Sequence, residues 1–383
     1  MHKCCWLVGL ILCATALLRA QQIGQTTITF IDSSRNNRQI PTEVYYPANA
    51  AGTNVPIAAG EFPVLVYGHG FVMVWSAYEN VWTSLVPNGY IVAFPKTESG
   101  FAPVHAEFGK DLAFIAQYIQ QNGAGAYVPA TSVAKKSAIM GHSMGGGAGF
   151  LAAANNTNIT TMVSFAAANT NPSAIDAAKN CTIPTLLFSG TNDCVTPPTQ
   201  HQNLMYDSCA GNYKTQINIT GGGHCFFANN NINCSLGEST CTPTPTITRE
   251  QQQLTTNNFL IPWLDFFLKD MANQGAAFQQ LLATDNRISY RQNKPIATPT
   301  GTGNLLLNQQ LTVYPNPAKN KLNIVSSSQF FNAINLFDVN GKEVVKQLLV
   351  QPTKEIGLEV SNLNNGIYLL QVNKQMYKIV IAN

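Results

Sequence analysis

The hydrophobic pattern of the chain changes period once, near residue 300. Before that point, short apolar runs alternate with stretches of helical period. Residues 26–31 and 43–46 read as a strand pair around Asn36-Asn37, a turn signal. Residues 62–67 form a continuous apolar run ending in Gly68-His69-Gly70-Phe71, and 78–86 read as a helix closed by Pro87-Asn88-Gly89. Residues 90–94 give the next strand. Residues 105–121 give a long helix with Phe108, Leu112, Ile115 and Ile119 on one face. Apolar runs at 137–140, 161–165, 183–188 and 213–219 supply further strands, the last of them expected at 213–219. Helices are expected after Ser143, at 201–209 and at 250–271.

Strands alternating with helices imply βαβ units and a doubly wound, mainly parallel sheet covered on both faces. Chemistry then gathers at the carboxyl ends of the strands. Beyond a Pro/Thr/Gly-rich linker at 294–304 the helical period vanishes. Residues 305–383 carry short alternating strands at 322–325, 334–337, 368–372 and 377–380, with turns at Asn340-Gly341 and Asn364-Asn365-Gly366, the pattern of a small β-sandwich. This tail holds seven lysines and four acids but no arginine, histidine or cysteine, so it has no evident catalytic set.

Residues 1–20 read as a secretory signal, with His2 and Lys3, an apolar run from 4 to 18, and Ala20 before Gln21-Gln22. The expected organisation is therefore signal 1–20, catalytic domain 21–293, linker 294–304 and sandwich 305–383. Without Lys3 and Arg19, 20 basic residues face 19 acidic ones, which gives no electrostatic case for nucleic acid. Three of the nine cysteines leave with the signal. The remaining six, Cys181, Cys194, Cys209, Cys225, Cys234 and Cys241, read as disulfides in an exported chain. They contain no CxxC pair, and His224 is the only histidine directly beside one of them, so no metal site is expected.

The chemistry centres on Gly141-His142-Ser143-Met144-Gly145, which follows a buried strand and opens a small-residue helix. In that context Gly-x-Ser-x-Gly is a nucleophile elbow, with Ser143 raised on a tight turn. A serine hydroxyl needs a base, and the base needs an orienting acid. In this fold they follow in the order Ser, acid, His. Asp193 directly follows the strand at 183–188, and His224 follows the strand at 213–219 through Thr220-Gly221-Gly222-Gly223. Two backbone amides should face the developing oxyanion, one from Met144 and one from Phe71 in the loop after the early strand. If Asp193 and His224 touch, their neighbours Cys194 and Cys225 lie close. A Cys194–Cys225 bridge is expected on that ground, with Cys234–Cys241 and Cys181–Cys209 by elimination. Only 17 residues separate Phe165 from Ile183, too few for a cap, so the cleft should be open.

Residues 24–275 resemble an α/β-hydrolase of the cutinase-like and bacterial polyester hydrolase group within the dienelactone hydrolase-like families. The resemblance rests on Gly70-Phe71, the elbow with Gly146-Gly147, residues 183–188 with Asn192-Asp193, and Tyr206-Asp207 leading to Gly221-Gly222-Gly223-His224. It implies carboxylic ester hydrolysis without a cofactor, polyesters such as cutin or poly(ethylene terephthalate) being among the substrates. It makes Ser143, Asp193 and His224 the triad, and Phe71 and Met144 the oxyanion donors. The chain departs from that group at Val72, where a small hydroxyl residue is usual. It departs again at Ala166-Ala167-Ala168-Asn169, where an aromatic clamp is expected. Trp75 is a substitute aromatic surface, and Phe71, His142 and Asn169 are the other expected substrate contacts. The tail resembles the C-terminal sorting domain of bacterial type IX secretion, through Val313-Tyr314-Pro315-Asn316-Pro317, Leu336-Phe337-Asp338-Val339-Asn340-Gly341-Lys342 and Gly366-Ile367-Tyr368-Leu369-Leu370-Gln371-Val372. It implies export to the medium or cell surface, with the type IX machinery as partner. The expected activity is that of a secreted serine esterase. A serine peptidase or lipase on the same triad, or a non-catalytic binding protein on this scaffold, is the alternative.

Overall fold

A computed structural model describes residues 21–296, 311–315, 317–326, 331–338, 342–372 and 375–382. The signal expected at 1–20, most of the linker at 294–304 and the Asn340-Gly341 turn lie outside the described residues.

Ten strands form one sheet: β1 (Gln22–Asp32), β2 (Arg38–Ala48), β3 (Gly52–Thr53), β4 (Phe62–Gly68), β5 (Ile91–Pro95), β6 (Val133–His142), β7 (Thr161–Phe165), β8 (Thr185–Gly190), β9 (Lys214–Ile219) and β10 (Ile288–Gln292). Their order is β10-β9-β8-β7-β6-β4-β5-β2-β1-β3. The run from β5 through β4, β6, β7 and β8 to β9 is parallel. At one side β1 and β2 pair antiparallel, from Gln22↔Ala48 to Asp32↔Arg38. Asn36 and Asn37 both take left-handed backbone in the connection, a conformation Asn tolerates.

Helices α1 (Glu79–Leu85), α2 (His105–Asn122), α3 (Met144–Ala153), α4 (Ala174–Ala178), α5 (Gln202–Ser208), α6 (Ile232–Glu238), α7 (Arg249–Lys269) and α8 (Ala272–Thr284) complete the domain. The two-residue period of the strands sorts the core into two layers. Val64, Val66, Ile91, Ala93 and Ile139 point to one face, where Phe108, Leu112, Ile115 and Ile119 of α2 and Phe150 of α3 cover them. Leu65, Tyr67, Val92, Phe94 and Met140 point to the other, under Trp82 of α1, Phe259 and Trp263 of α7 and Phe278 of α8. The central strands are buried on both faces, which is why they read as unbroken apolar runs. Trp263 Nε1–H donates to Thr161 Oγ1 at 2.9 Å, fastening α7 to β7.

This is an α/β-hydrolase sheet, and only the five-residue α4 lies between β7 and β8, so no cap is inserted there. Two expectations need correction. The strand at 213–219 is not the last, because β10 pairs antiparallel with β9, Ile288 opposite Ile219. The closing helix is followed by a second one, α8, which turns back along α7.

The tail forms two antiparallel sheets. One contains β11 (Leu311–Tyr314), β12 (Lys321–Ser326) and β15 (Glu355–Glu359). The other contains β13 (Phe331–Asp338), β14 (Glu343–Thr353), β16 (Gly366–Val372) and β17 (Gln375–Ile381). Leu322 and Ile324 of the first meet Leu336, Leu370 and Ile379 of the second in one apolar core.

Candidate active site

Strand β6 delivers Ser143 onto a strained turn. Its backbone sits at φ 56°, ψ −120°, a conformation costly for a residue with a Cβ and held only where the surroundings enforce it. The enforcement is visible. Ser143 N–H donates to Phe165 O at 2.9 Å, and Ser143 O accepts from Ala168 N at 2.9 Å and Gly147 N at 3.1 Å. A Cβ on Gly145 would lie 2.1 Å from Gly68 O, so the elbow can pack on β4 only with glycine there. The Ser143 hydroxyl makes no hydrogen bond among the described residues; such contacts commonly tighten only when substrate binds.

Asp193 follows β8 and is buried. Its Oδ1 accepts from Thr196 N at 2.8 Å, which fixes the carboxylate plane. His224 follows β9 through Gly221, which takes left-handed backbone. Its Nδ1–H donates to Asp193 Oδ2 at 2.8 Å. Two residues absent from the sequence reading hold the His224 loop. Gln252 of α7, fully buried, donates to Gly223 O and accepts from Gly223 N, both at 2.9 Å. Glu238 of α6 accepts from His224 N at 2.5 Å and from Cys225 N at 3.2 Å. Neither residue belongs to a motif, and loop-facing polar side chains carry no periodic signal.

Met144 N–H is the first amide of α3, one that a helix leaves without an internal partner. Phe71 lies in the β4 loop with half of its surface exposed. Gly70 N–H beside it is taken by the Tyr78 hydroxyl at 2.8 Å, which orients this loop.

The expected substrate contacts divide. Phe71 is available. Trp75 is half-buried, with its ring against Tyr45 and Trp82 at 6.1 and 5.8 Å between centroids, so it belongs to an aromatic shelf. Asn169 is exposed, but its Oδ1 accepts from Ser173 Oγ at 3.1 Å and Ile175 N at 3.2 Å at the start of α4. His142 is a correction. It has no exposed surface, its Nε2–H donates to His224 O at 3.0 Å, and Tyr78 occupies its Nδ1. It holds loops together and offers nothing to a substrate. Burial, with the His224 ring beside it, keeps His142 neutral, well below the usual histidine range. His201 was not anticipated. Its Nδ1 accepts from Asn169 N at 2.9 Å, and burial lowers its pKa against the attraction of Asp193.

The disulfides also differ from expectation. Cys194 pairs with Cys241, and Cys225 with Cys234. Asp193 and His224 meet through their side chains, but the neighbouring cysteines pair separately with Cys241 and Cys234, in the segment after the His224 loop. Cys181 and Cys209 are buried free thiols, both against Thr185 Oγ1 at 3.5 and 3.6 Å.

Fold and elbow together define the class of the α/β-hydrolases. Within that class, residues 13–242 match the PET hydrolase-like family, and the chain belongs to it, which makes this one a hydrolase acting on esters. Residues 312–382 match the secretion system C-terminal sorting domain, which makes the protein a secreted or cell-surface one. No helix among the described residues is long and apolar enough to cross a membrane. No curated protein matches the chain.

Proposed function

We propose that the protein is a secreted carboxylic ester hydrolase working through an acyl-enzyme on Ser143, with His224 as base and Asp193 as its orienting acid. The observation that carries this reading is the 2.8 Å bond from His224 Nδ1–H to Asp193 Oδ2 beside the strained elbow. A carboxylate has no proton to give, so the shared proton sits on Nδ1 and Nε2 is left as the base. Ser143 Oγ attacks the ester carbonyl carbon, and its proton passes to His224 Nε2. The carbonyl electrons move onto oxygen, which the Phe71 and Met144 amides receive. Collapse of this intermediate breaks the bond to the alcohol, which leaves with the Nε2 proton. Water then repeats the two steps on the acyl-enzyme, releasing the acid and restoring Ser143.

Polyesters, cutin and poly(ethylene terephthalate) among them, are the proposed substrate class. Membership of the PET hydrolase-like family supports this, as do the missing cap and the half-exposed Phe71 ring. Residues 21–293 are proposed as the catalytic unit and 305–383 as the sorting unit.

The test compares wild type and Ser143→Ala on p-nitrophenyl esters, a peptide amide, a triglyceride emulsion and a polyester film. The variant should lose about a thousandfold or more in kcat on the esters, along with labelling by a fluorophosphonate. Retained turnover in the variant, or a wild type that cleaves amides but not esters, overturns the reading.

A further inference from the structure

Thr196 lies three residues past Asp193 and is almost fully buried. Its backbone amide is accounted for above, but its hydroxyl is not. Four polar atoms surround Oγ1: Asp193 Oδ2 at 2.9 Å, His224 Nδ1 at 3.1 Å, Gln202 Nε2 at 3.1 Å and Ala166 O at 3.1 Å. Two of these are donors, which suits the two lone pairs of a hydroxyl, and two are acceptors, of which its single hydrogen serves one at a time. Gln202 Nε2–H and His224 Nδ1–H point at Oγ1, while Asp193 Oδ2 and Ala166 O compete for its hydrogen.

The far side of this cluster is anchored on the segment that holds the elbow. Gln202, fully buried, also donates from Nε2 to Ala167 O at 2.7 Å. Phe165 O and Ala168 N bind the backbone of Ser143. Residues 165–168 are thus a common frame: the serine hangs from its ends, and Thr196 ties the acid and the base to its middle.

The geometry points to Thr196 as a positioning residue whose hydroxyl fixes Asp193 and His224 together and sets them in register with Ser143. The inference rests on the serine hydrolase reading above. A valine of the same shape would fill the site yet could neither accept from His224 nor donate to Asp193. With the hydroxyl gone, the His224 Nδ1 proton, now shared between Asp193 Oδ2 and Thr196 Oγ1, would belong to the carboxylate alone.

The experiment measures kcat and KM on p-nitrophenyl butyrate, together with the low-field proton NMR signal of His224 Nδ1–H, in wild type, Thr196→Val and Thr196→Ser. Thr196→Val should lower kcat about 10- to 100-fold, the scale of losing a hydrogen bond to a charged group, with KM within twofold. Its low-field signal should move downfield. Thr196→Ser should restore both kcat and the signal to near wild type. A Thr196→Val enzyme with wild-type kcat and an unmoved signal overturns the inference. So does a serine variant as impaired as the valine one, since shape alone would then matter. Should Thr196→Val not fold, Gln202→Met decides: it removes the donor to Oγ1 and should lower kcat with KM unchanged, and unaltered kcat counts against the inference. Loss of the underlying reading is a separate result, read from wild type and Ser143→Ala.

Discussion

The Nε2–H of His142 donates to the main-chain oxygen of His224 at 3.0 Å, so the residue before the elbow serine holds the loop of the proposed base. Tyr78 extends this contact. Its hydroxyl donates to His142 Nδ1 at 3.0 Å and accepts from Gly70 N–H at 2.8 Å. A buried polar chain therefore runs from the β4 loop through the elbow to the His224 loop.

Cutting this chain should cost stability out of proportion to the atoms removed. In His142→Leu the buried His224 carbonyl loses its donor, and leaving such a group unpaired costs about 1–3 kcal/mol. Tyr78→Phe strands the Gly70 amide and should cost a similar amount. Chemical denaturation of both variants checks this. Midpoints equal to wild type would show that the chain carries no stability.

The two disulfides should differ in worth. Cys194–Cys241 closes 47 residues and Cys225–Cys234 only nine. Loop entropy assigns them about 4 and about 2.5 kcal/mol respectively. The double serine variant of the long bridge should melt lower than that of the short one. The reverse order would mean that native contacts of the bridged segment outweigh loop length.

Acid should weaken the fold in two stages. His69 and His142 are kept neutral chiefly by burial, below the ordinary histidine value of 6.5. Below that value the unfolded chain binds protons that the folded one refuses, so stability is complete above it and falls as pH drops through it. The carboxylates follow. Lys110 and then Arg35 hold Glu107 low. At Asp32 burial pushes the pKa up, but bonds from Ser34 and Arg35 outweigh it and leave it lowered. Their contribution is full above the ordinary carboxylate values and disappears as pH falls through the depressed ones. Melting temperatures taken from pH 8 to 3 should begin to fall near 6.5 and steepen below 4.5. A flat profile between pH 7 and 5 would remove the histidine stage.

Removing residues 312–382 should leave the protein inside the cell of a type IX secreting host. Fractionation and activity in the medium report the outcome, and unimpaired release would mean that export uses another signal.

Much of this was legible because the informative residues are local. The run into Gly141-His142-Ser143 forms strand, turn and helix from its own neighbours, and chain order alone pointed to Asp193 and His224. The α2 face was readable from the spacing of Phe108, Leu112, Ile115 and Ile119, all buried. What could not be read depends on direction in space. Cys194 and Cys225 flank two residues that touch, yet their side chains diverge. Strand β10 gives no strand signal because its edge position leaves polar and charged residues in its pattern. Thr196 and Gln202 belong to no motif, Glu238 and Gln252 lie more than 30 residues beyond them, and only the folded chain brings the four to the Asp193 and His224 loops.

Both disulfides end within residues 234–241, so the Asp193 loop and the His224 loop share one clasp. Cysteines stay reduced in the cytoplasm and pair outside it. A newly made chain therefore carries its Asp193 and His224 loops not yet joined, and the clasp closes only after the chain leaves the cytoplasm. Full ruggedness of the site is acquired on the way out, so cell-bound precursor would be the fragile form and exported protein the durable one.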